Sequence, residues 1–180
     1  MSMLNKRHES VLKEVKVDLT YVNKTQKEFL DHLESVKGIN TPKNTLNIPM
    51  WLLLGLHSEL SEVLNASKLH KFWNKSEINK THLIEKLGDF LSHMGNLANF
   101  LEVDLIVEIP EIQLTAQEVI FNQLYYKITT LNWNKRHARN TLISKSLPLF
   151  VQLVYSFGFN LEDLEKVYKR KMVENYSRFN

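Results

Sequence analysis

The sequence lacks cysteine altogether, and among its 180 residues it has only five glycines and four prolines. Without cysteine, neither disulfide bridges nor thiolate metal sites can form. The scarcity of glycine and proline favours helices, because these two residues interrupt helical segments. The first residues, MSMLNKRHESVLKEVK, also lack the apolar stretch of a signal peptide, so we expect a cytoplasmic protein.

Long apolar runs and long blocks of one charge are absent too. The longest apolar run, from Ile48 to Leu56, is well short of the roughly 20 residues that a membrane span requires, so we expect no membrane partner. The net charge of +3 arises from mixed charges rather than from a basic block, so we expect no nucleic-acid partner. A composition that is 43% hydrophobic and 24% charged predicts one folded domain.

Apolar residues recur at helical spacing along most of the chain, whereas strict alternation over the length of a strand is hard to find. The sequence therefore predicts an all-α helical bundle, formed by a single domain at 25–180. Residues 1–24 are expected to be an N-terminal extension that is partly helical, through a short amphipathic segment at 11–21. The predicted helices run from Gln26 to Val36, from Pro49 to about Ser67, from Thr81 to about Leu101, from Thr115 to about Leu131, from about Arg139 to Phe157, and from Asn160 to the C-terminus.

Several residues predict how these helices begin, bend and end. Asn160 and Asp163 are spaced as a cap for the last helix. Pro148 lies inside a predicted helix and implies a kink or a short first piece, while Gly158 is suited to end that helix. The segment EVDLIVEIPEIQ, at 102–113, is predicted to be an extended link.

Two pairs of acidic residues lie on helices that are otherwise built for burial. Glu59 and Glu62 are three residues apart, and Glu85 and Asp89 are four apart, so each pair shares one face of its helix. If the two helices pack antiparallel, the faces converge and bring four carboxylates together. Such oxygen ligands suit Mg²⁺, which often binds carboxylates together with substrate phosphates. The alternative is that these residues are ordinary solvent-facing charges.

Sequence motifs favour a metal site over ordinary solvent-facing charges. Four segments are informative: ELSEVLN, HKFWN, IEKLGDFLSHMGNLANFL and the closing FNLEDLEKVYKRKMVENYSRF. Together they resemble the all-α nucleoside triphosphate pyrophosphatase superfamily, and specifically the dimeric dUTPases, with a MazG-like KLGDFL. TQKEFLDHL adds a further match, and the resemblance extends from about Thr25 to Phe179. It implies a homodimer that uses Mg²⁺ to cleave a nucleotide, dUTP above others, between the α- and β-phosphates. The products would be the monophosphate and pyrophosphate.

In that family a Glu-x-x-Glu pair and a later Glu-x-x-Asp pair bind Mg²⁺. Glu59 and Glu62 match the first pair and Asp89 the last member, so the resemblance implies that these three are catalytic and bind metal. Lys86 stands at the remaining position, and the nearest carboxylate is that of Glu85. Either Glu85 turns inward as the fourth metal ligand, because residues four apart also share a face, or Lys86 holds a phosphate as a point charge.

The resemblance also implies substrate contacts, each of which has a plainer alternative. Trp73 could pack at the base or plug the core, and the amides of Gln26 and Asn175 could read a uracil edge or be exposed helix residues. The full set of implied substrate-binding residues is Gln26, Asn65, Lys71, Trp73, Tyr168, Lys171, Asn175 and Arg178.

Two functions from different classes follow from these observations. The first is hydrolysis of a nucleoside triphosphate, dUTP above others, with Mg²⁺ as the cofactor. The second is a catalytically degenerate homologue that keeps the fold as a nucleotide-binding or protein-binding regulatory module, with a regulatory protein as its partner. Lys86 is the residue that separates them, because a positive charge at a metal position works against metal binding.

Overall fold

The computed structural model describes residues 11–38, 40–41, 45, 47–74, 76–113, 116–131 and 134–179. Helices account for most of these residues, so the predicted all-α bundle is confirmed. The elements in chain order are β1 (Val11–Asp18), α1 (Thr20–Lys37), α2 (Met50–Ser67), α3 (Lys80–Leu101), β2 (Ile106–Gln113), α4 (Gln117–Thr129), α5 (Lys135–Thr141), a π-helical turn (Leu142–Ser146), α6 (Leu147–Ser156) and α7 (Leu161–Arg178).

The two strands form an antiparallel pair, in which Val15 lies opposite Ile109. The prediction of a partly helical segment at 11–21 is therefore wrong over Val11–Asp18. Alternate side chains of each strand, such as Val17 and Ile109, are buried against the bundle. A helix would place alternate side chains on different faces, so the burial pattern favours a strand. The segment predicted as an extended link is extended, and most of it is the partner strand β2.

Three helices pack around the buried α3. α2 runs antiparallel to it, since Glu62 lies near Lys86 at one end of the pair and Gly55 lies against His93 further along. α1 approaches α3 closely because Gly95 has no side chain: a Cβ there would lie 2.7 Å from Cγ1 of Val22. α7 covers a third side of α3. The bundle therefore brings α2 and α7 to the part of α3 that carries Asp89.

Most predicted helix boundaries lie close to the observed ones, but α1 begins at Thr20 rather than at Gln26, and α5 begins at Lys135 rather than at about Arg139. The predicted start at Thr115 lies outside the described residues.

Asn160 and Asp163 form the predicted cap, because the Asn160 side chain accepts from the Asp163 N–H at 2.8 Å and the Asp163 carboxylate accepts from the Asn160 N–H at 3.1 Å. Gly158, with φ of 84°, follows the end of α6 as predicted. The irregularity expected at Pro148 takes the form of the π-helical turn just before it.

No single helix in the described part of the chain is long and apolar enough to cross a membrane. The continuous helical segment Lys135–Ser156 and α7 meet the criteria of length and composition only as a pair, and the pair is bent by 99°.

Candidate functional site

Three of the predicted acidic residues share the interface between α2 and α3. Glu59 and Glu62 project from α2, and Asp89 projects from α3, because the antiparallel packing sets these turns opposite each other. The ammonium group of Lys86 lies between them, with Nζ 3.6 Å from Oε2 of Glu62 and 3.9 Å from Oδ2 of Asp89. We refer to Glu59, Glu62 and Asp89 as the acidic cluster.

The surroundings of Glu59 shift the pKa of its carboxyl group. Burial raises the pKa of its carboxyl group, and the like charge of Asp89 raises it further, while Lys86 acts in the opposite direction. Only 22% of the side chain is exposed to solvent. A proton or a cation bound at Glu59 would offset the cost of its buried negative charge. Carboxylates with shifted pKa values of this kind are common at functional sites.

A second ammonium group reaches the acidic cluster from α7. Nζ of Lys171 lies 3.3 Å from Oδ1 of Asp89, and 17% of the lysine side chain is exposed. Asp89 is thus contacted by Lys86 on one side and by Lys171 on the other. Three carboxylates and two ammonium groups leave one net negative charge at the site, so its own lysines compensate most of the acidic charge.

Glu85 has a different partner. Its Oε1 accepts a hydrogen bond from Nη2 of Arg170, on α7, at 2.6 Å. Glu85 and Asp89 share a face of α3, as predicted, but the first carboxylate pairs with α7 and the second faces α2 and Lys171. The structure therefore brings Glu59, Glu62 and Asp89 together and gives Glu85 a separate ion pair.

His93 also adjoins the acidic cluster, although it was not among the residues predicted for the site. Nε2 lies 3.9 Å from Oε1 of Glu59, and burial lowers the pKa of the imidazole. Nδ1 is buried without a hydrogen-bond partner in the described part of the chain, and it lies against Gly55. The position of His93, four residues after Asp89, was the available signal, since residues four apart share a helix face.

Mg²⁺ is the ion that the resemblance implies for the acidic cluster. Mg²⁺ takes oxygen ligands, usually one or two carboxylates with water and substrate phosphates, and the acidic cluster supplies such oxygens. As the side chains stand, no three carboxylate or imidazole groups among the described residues are placed to hold a metal ion. The oxygen donors suit one Mg²⁺ in their chemistry, but Lys86 pairs with Glu62 and Asp89 and Lys171 pairs with Asp89, so both lysines would compete with the ion.

Gln26 and Tyr168 contact each other in the core. Nε2 of Gln26 lies 3.1 Å from the Tyr168 hydroxyl and 3.3 Å from Sδ of Met172. Gln26 is 2% exposed and Tyr168 is 1% exposed, so the alternative of an exposed Gln26 is wrong. Burial raises the pKa of Tyr168 to about 12, so its hydroxyl stays protonated and neutral at pH 7. The amide of Gln26 is therefore engaged within the protein.

Three other predicted substrate residues lie at or after the C-terminal end of α2. Asn65 is exposed, and its carbonyl accepts the N–H of Lys68 that ends the helix. Lys71 and Trp73 follow in the turn to α3. Trp73 is 66% exposed, with its ring centroid 5.1 Å from that of Phe72, so the alternative of a core plug is wrong.

The last two predicted contacts lie near the C-terminal end of α7. Asn175 is partly buried, one turn beyond Lys171, and Arg178 is exposed at the last residue of the helix. A helix advances about 1.5 Å per residue, so Arg178 lies about 10 Å along the axis from Lys171. Of the basic residues predicted on α7, Lys171 is the one that touches the acidic cluster.

A bundle of helices that sets carboxylates and lysines together between α2, α3 and α7 is the arrangement expected of an all-α nucleotide hydrolase. A family model described as dUTPase matches residues 18–180. The chain therefore belongs to the dUTPase family, which confirms the resemblance drawn from its motifs. No curated protein sequence matches the chain at a significant level.

Proposed function

We propose that this protein hydrolyses a nucleoside triphosphate of the dUTP type to the monophosphate and pyrophosphate, with the phosphates bound at the acidic cluster. Membership of the dUTPase family supports hydrolysis of dUTP-type nucleotides at the level of the family. The observation that carries the proposal for this chain is the convergence of Glu59, Glu62 and Asp89 from two helices at one interface.

The residues of the site suggest separate roles. Glu59 is proposed to favour a bound cation, because burial and the like charge of Asp89 raise its pKa and a cation would offset both effects. Lys171 is the proposed phosphate contact, since an ammonium group binds phosphate oxygens as a point charge. It already lies at the site, 3.3 Å from Asp89, so the anionic substrate would find a counter-charge in place.

Mg²⁺ is the proposed cofactor, with Glu59, Glu62 and Asp89 as its ligands. When bound, it would supply Lewis-acid polarisation of the phosphate oxygens and a water of lowered pKa. Glu85 is not included, because its carboxylate is paired with Arg170. For the ion to bind, Lys86 would have to release Glu62 and Asp89.

One observation favours a second candidate function. Lys86 places a positive charge 3.6 Å from Glu62 and 3.9 Å from Asp89, where a cation would otherwise bridge the two helices. A protein with a built-in ammonium group at this point could bind a nucleotide without metal and without turnover. This second candidate is a nucleotide-binding regulatory homologue.

The two candidates differ in what happens to dUTP. We expect phosphorus NMR to detect dUMP and pyrophosphate when the protein is incubated with dUTP and Mg²⁺, and slower turnover with dTTP, because its added methyl group must be accommodated. Asp89→Asn should lower turnover at least about 100-fold, as expected when a metal-binding and lysine-binding carboxylate is lost. Glu162→Gln is the matched control, because Glu162 is an exposed residue of α7 that pairs with Lys166.

Three results would contradict the proposed function. Absence of both products at every Mg²⁺ concentration, together with metal-independent binding of dUTP, would support the regulatory homologue. Equal turnover of Asp89→Asn and the unaltered protein would place any hydrolysis elsewhere. Formation of dUDP and phosphate would contradict the proposed bond cleavage.

A further inference from the structure

The imidazole of His93 lies in a slot between α2 and α3, next to the acidic cluster. Gly55, one turn before Glu59 on α2, forms one wall of this slot. A Cβ at Gly55 would lie 2.4 Å from Nδ1 and 2.8 Å from Cε1 of His93. A real Cβ cannot approach other atoms so closely, so the ring fits against α2 only because residue 55 is glycine.

The two ring nitrogens of His93 have different surroundings. Nε2 lies 3.9 Å from Oε1 of Glu59. Nδ1 is buried and has no hydrogen-bond partner among the described residues. The side chain as a whole is 32% exposed, so its exposed part lies away from Nδ1.

This difference indicates which nitrogen carries the proton. A neutral imidazole has one N–H donor and one acceptor nitrogen. With the proton on Nδ1, a donor would be buried without an acceptor, and the lone pair of Nε2 would face the carboxylate of Glu59. A doubly protonated ring would also leave the Nδ1 donor unpaired, and such buried donors are rare. The form with the lowest cost is a neutral ring with its proton on Nε2, beside Glu59.

The carboxylate of Glu59 lacks a direct hydrogen-bond donor in the described part of the chain. Among the same residues, His93 is the one basic side chain within 4 Å of it. The separation of 3.9 Å exceeds the roughly 3.2 Å limit of a hydrogen bond by less than 1 Å. Rotation of the flexible Glu59 side chain can close this gap.

We infer that His93 is a positioning residue, whose Nε2–H donates to Glu59 and holds that carboxylate in the orientation in which it binds a cation. Gly55 acts with His93, because it keeps the slot open for the ring. Carboxylates that bind metal are commonly held by hydrogen bonds, and losing such a bond typically weakens metal binding by roughly 10–100-fold. The inference rests on the proposed function, since it takes Glu59 as part of the site.

Nitrogen-15 NMR of the metal-free protein tests the position of the proton, because the protonated and the bare nitrogen of an imidazole differ strongly in chemical shift. We expect the Nε2–H form of His93 at pH 7. Glu59→Gln should shift the Nε2 signal, whereas Glu162→Gln, a change at an exposed residue of α7, should not. The Nδ1–H form, or an Nε2 signal that Glu59→Gln leaves unchanged, would overturn the inference.

Calorimetry of Mg²⁺ binding tests the effect of the donor. His93→Leu keeps a side chain of similar bulk without an N–H, and it should bind Mg²⁺ at least about tenfold more weakly than the unaltered protein. His93→Gln offers an amide N–H near the position of Nε2, so it should bind Mg²⁺ nearly as tightly as the unaltered protein. His82→Leu is the matched control, because His82 is exposed on the same helix. Circular dichroism shows whether each variant is folded.

Gly55→Ala tests the slot itself. Its methyl group must displace the ring of His93, so the variant should lose as much Mg²⁺ affinity as His93→Leu does. Gly88→Ala makes the same change within α3 and is the matched control, because the nearest atoms to a Cβ there lie 3.9 Å away. Equal Mg²⁺ affinity of folded Gly55→Ala and the unaltered protein would contradict the role of Gly55.

The outcomes separate this inference from the proposed function. If folded His93→Leu binds Mg²⁺ as tightly as the unaltered protein, or if His93→Gln binds it as weakly as His93→Leu, the N–H of His93 does not position Glu59, whether or not dUTP is hydrolysed. If the donor at residue 93 controls Mg²⁺ affinity but no dUTP is hydrolysed, the inference stands and the proposed hydrolysis fails. If the unaltered protein binds no Mg²⁺, the proposed cofactor fails, and the NMR result alone decides the inference.

Discussion

At the scale of single residues, Glu59 carries a negative charge in surroundings that oppose it. Its side chain is largely buried, and Asp89 and Glu62 add like charge, so its pKa in the folded protein lies above the ordinary value of 4.5. The folded state therefore holds the proton of Glu59 more tightly than the unfolded state does. Stability should fall as the pH rises from the ordinary pKa through the raised one, because deprotonation is harder in the folded state.

Glu59→Gln removes this penalty, so we expect the variant to be more stable than the unaltered protein at pH 7, by about 1 kcal/mol. Near pH 3, where the carboxyl group is protonated in both states, the difference should shrink towards zero. Urea denaturation at the two pH values measures both quantities. A variant that is less stable than the unaltered protein at pH 7 would mean that the contact of Glu59 with His93, at 3.9 Å, outweighs its burial.

The acidic residues also show how far sequence reasoning reaches at this scale. Helical spacing was enough to predict that Glu59 and Glu62 share a face, and antiparallel packing sets that face against Asp89. Spacing could not predict the partner of Glu85, because Arg170 comes from a helix 85 residues further along the chain. Shared faces are a local property, whereas ion pairs between helices depend on how the bundle closes.

At the scale of elements, α7 supplies both Tyr168 and Lys171 to the centre of the molecule. Its first turn is fixed by the capping box of Asn160 and Asp163, in which each side chain accepts from the other residue's backbone N–H. Loss of such a cap leaves donors at the helix start without partners. The start of α7 therefore contributes to how Lys171 is held against Asp89.

Asn160→Ala should lower the free energy of unfolding by about 1 kcal/mol, the usual cost of replacing an asparagine cap by alanine. The measurement is urea denaturation. Asn122→Ala is the matched control, because Asn122 is exposed within α4, and its effect should stay within about 0.5 kcal/mol. A loss in Asn160→Ala no larger than in the control would show that the capping box adds nothing to stability.

Among the elements, the helices could be predicted from apolar periodicity, caps and stops, and the sheet could not. The alternating residues in VKVD and IVEI are few, and a two-strand ladder is stabilised by a partner about 90 residues away rather than by local sequence. Pro110 also weakens the local signal for a strand, since it has no N–H to donate. Glu14 lies opposite Pro110 in the ladder, because its neighbours Lys13 and Val15 pair with Glu111 and Ile109. Its φ is positive, at 34°.

At the scale of the whole molecule, large apolar side chains are left exposed. Leu54 is 60% exposed, Phe72 is 91% exposed and Val173 is 71% exposed. We propose, from its resemblance to dimeric dUTPases, that the protein is a homodimer in which the contact between copies covers some of these side chains. Sedimentation equilibrium should give twice the chain mass of 21.2 kDa, and a single-chain mass over the micromolar range would contradict the dimer.

The proposal that the protein is a hydrolase depends on Lys86, which lies among the carboxylates of the acidic cluster. The ammonium group lies within 4 Å of Glu62 and Asp89, so it should compete with Mg²⁺ for these carboxylates. Lys86→Glu removes the competitor and adds a ligand. Lys166→Glu makes the same change of charge at an exposed residue of α7 and is the matched control.

The most direct measurement is therefore the Mg²⁺ dependence of dUTP hydrolysis by the unaltered protein, Lys86→Glu and Lys166→Glu, with Mg²⁺ affinity measured by calorimetry. The account predicts that Lys86→Glu binds Mg²⁺ at least about tenfold more tightly and hydrolyses dUTP faster at low Mg²⁺ concentration, because one unfavourable charge interaction of at least about 1.4 kcal/mol is removed. Lys166→Glu should match the unaltered protein. If Lys86→Glu changes neither the affinity for Mg²⁺ nor the rate of hydrolysis, the acidic cluster is not the metal-dependent hydrolytic site.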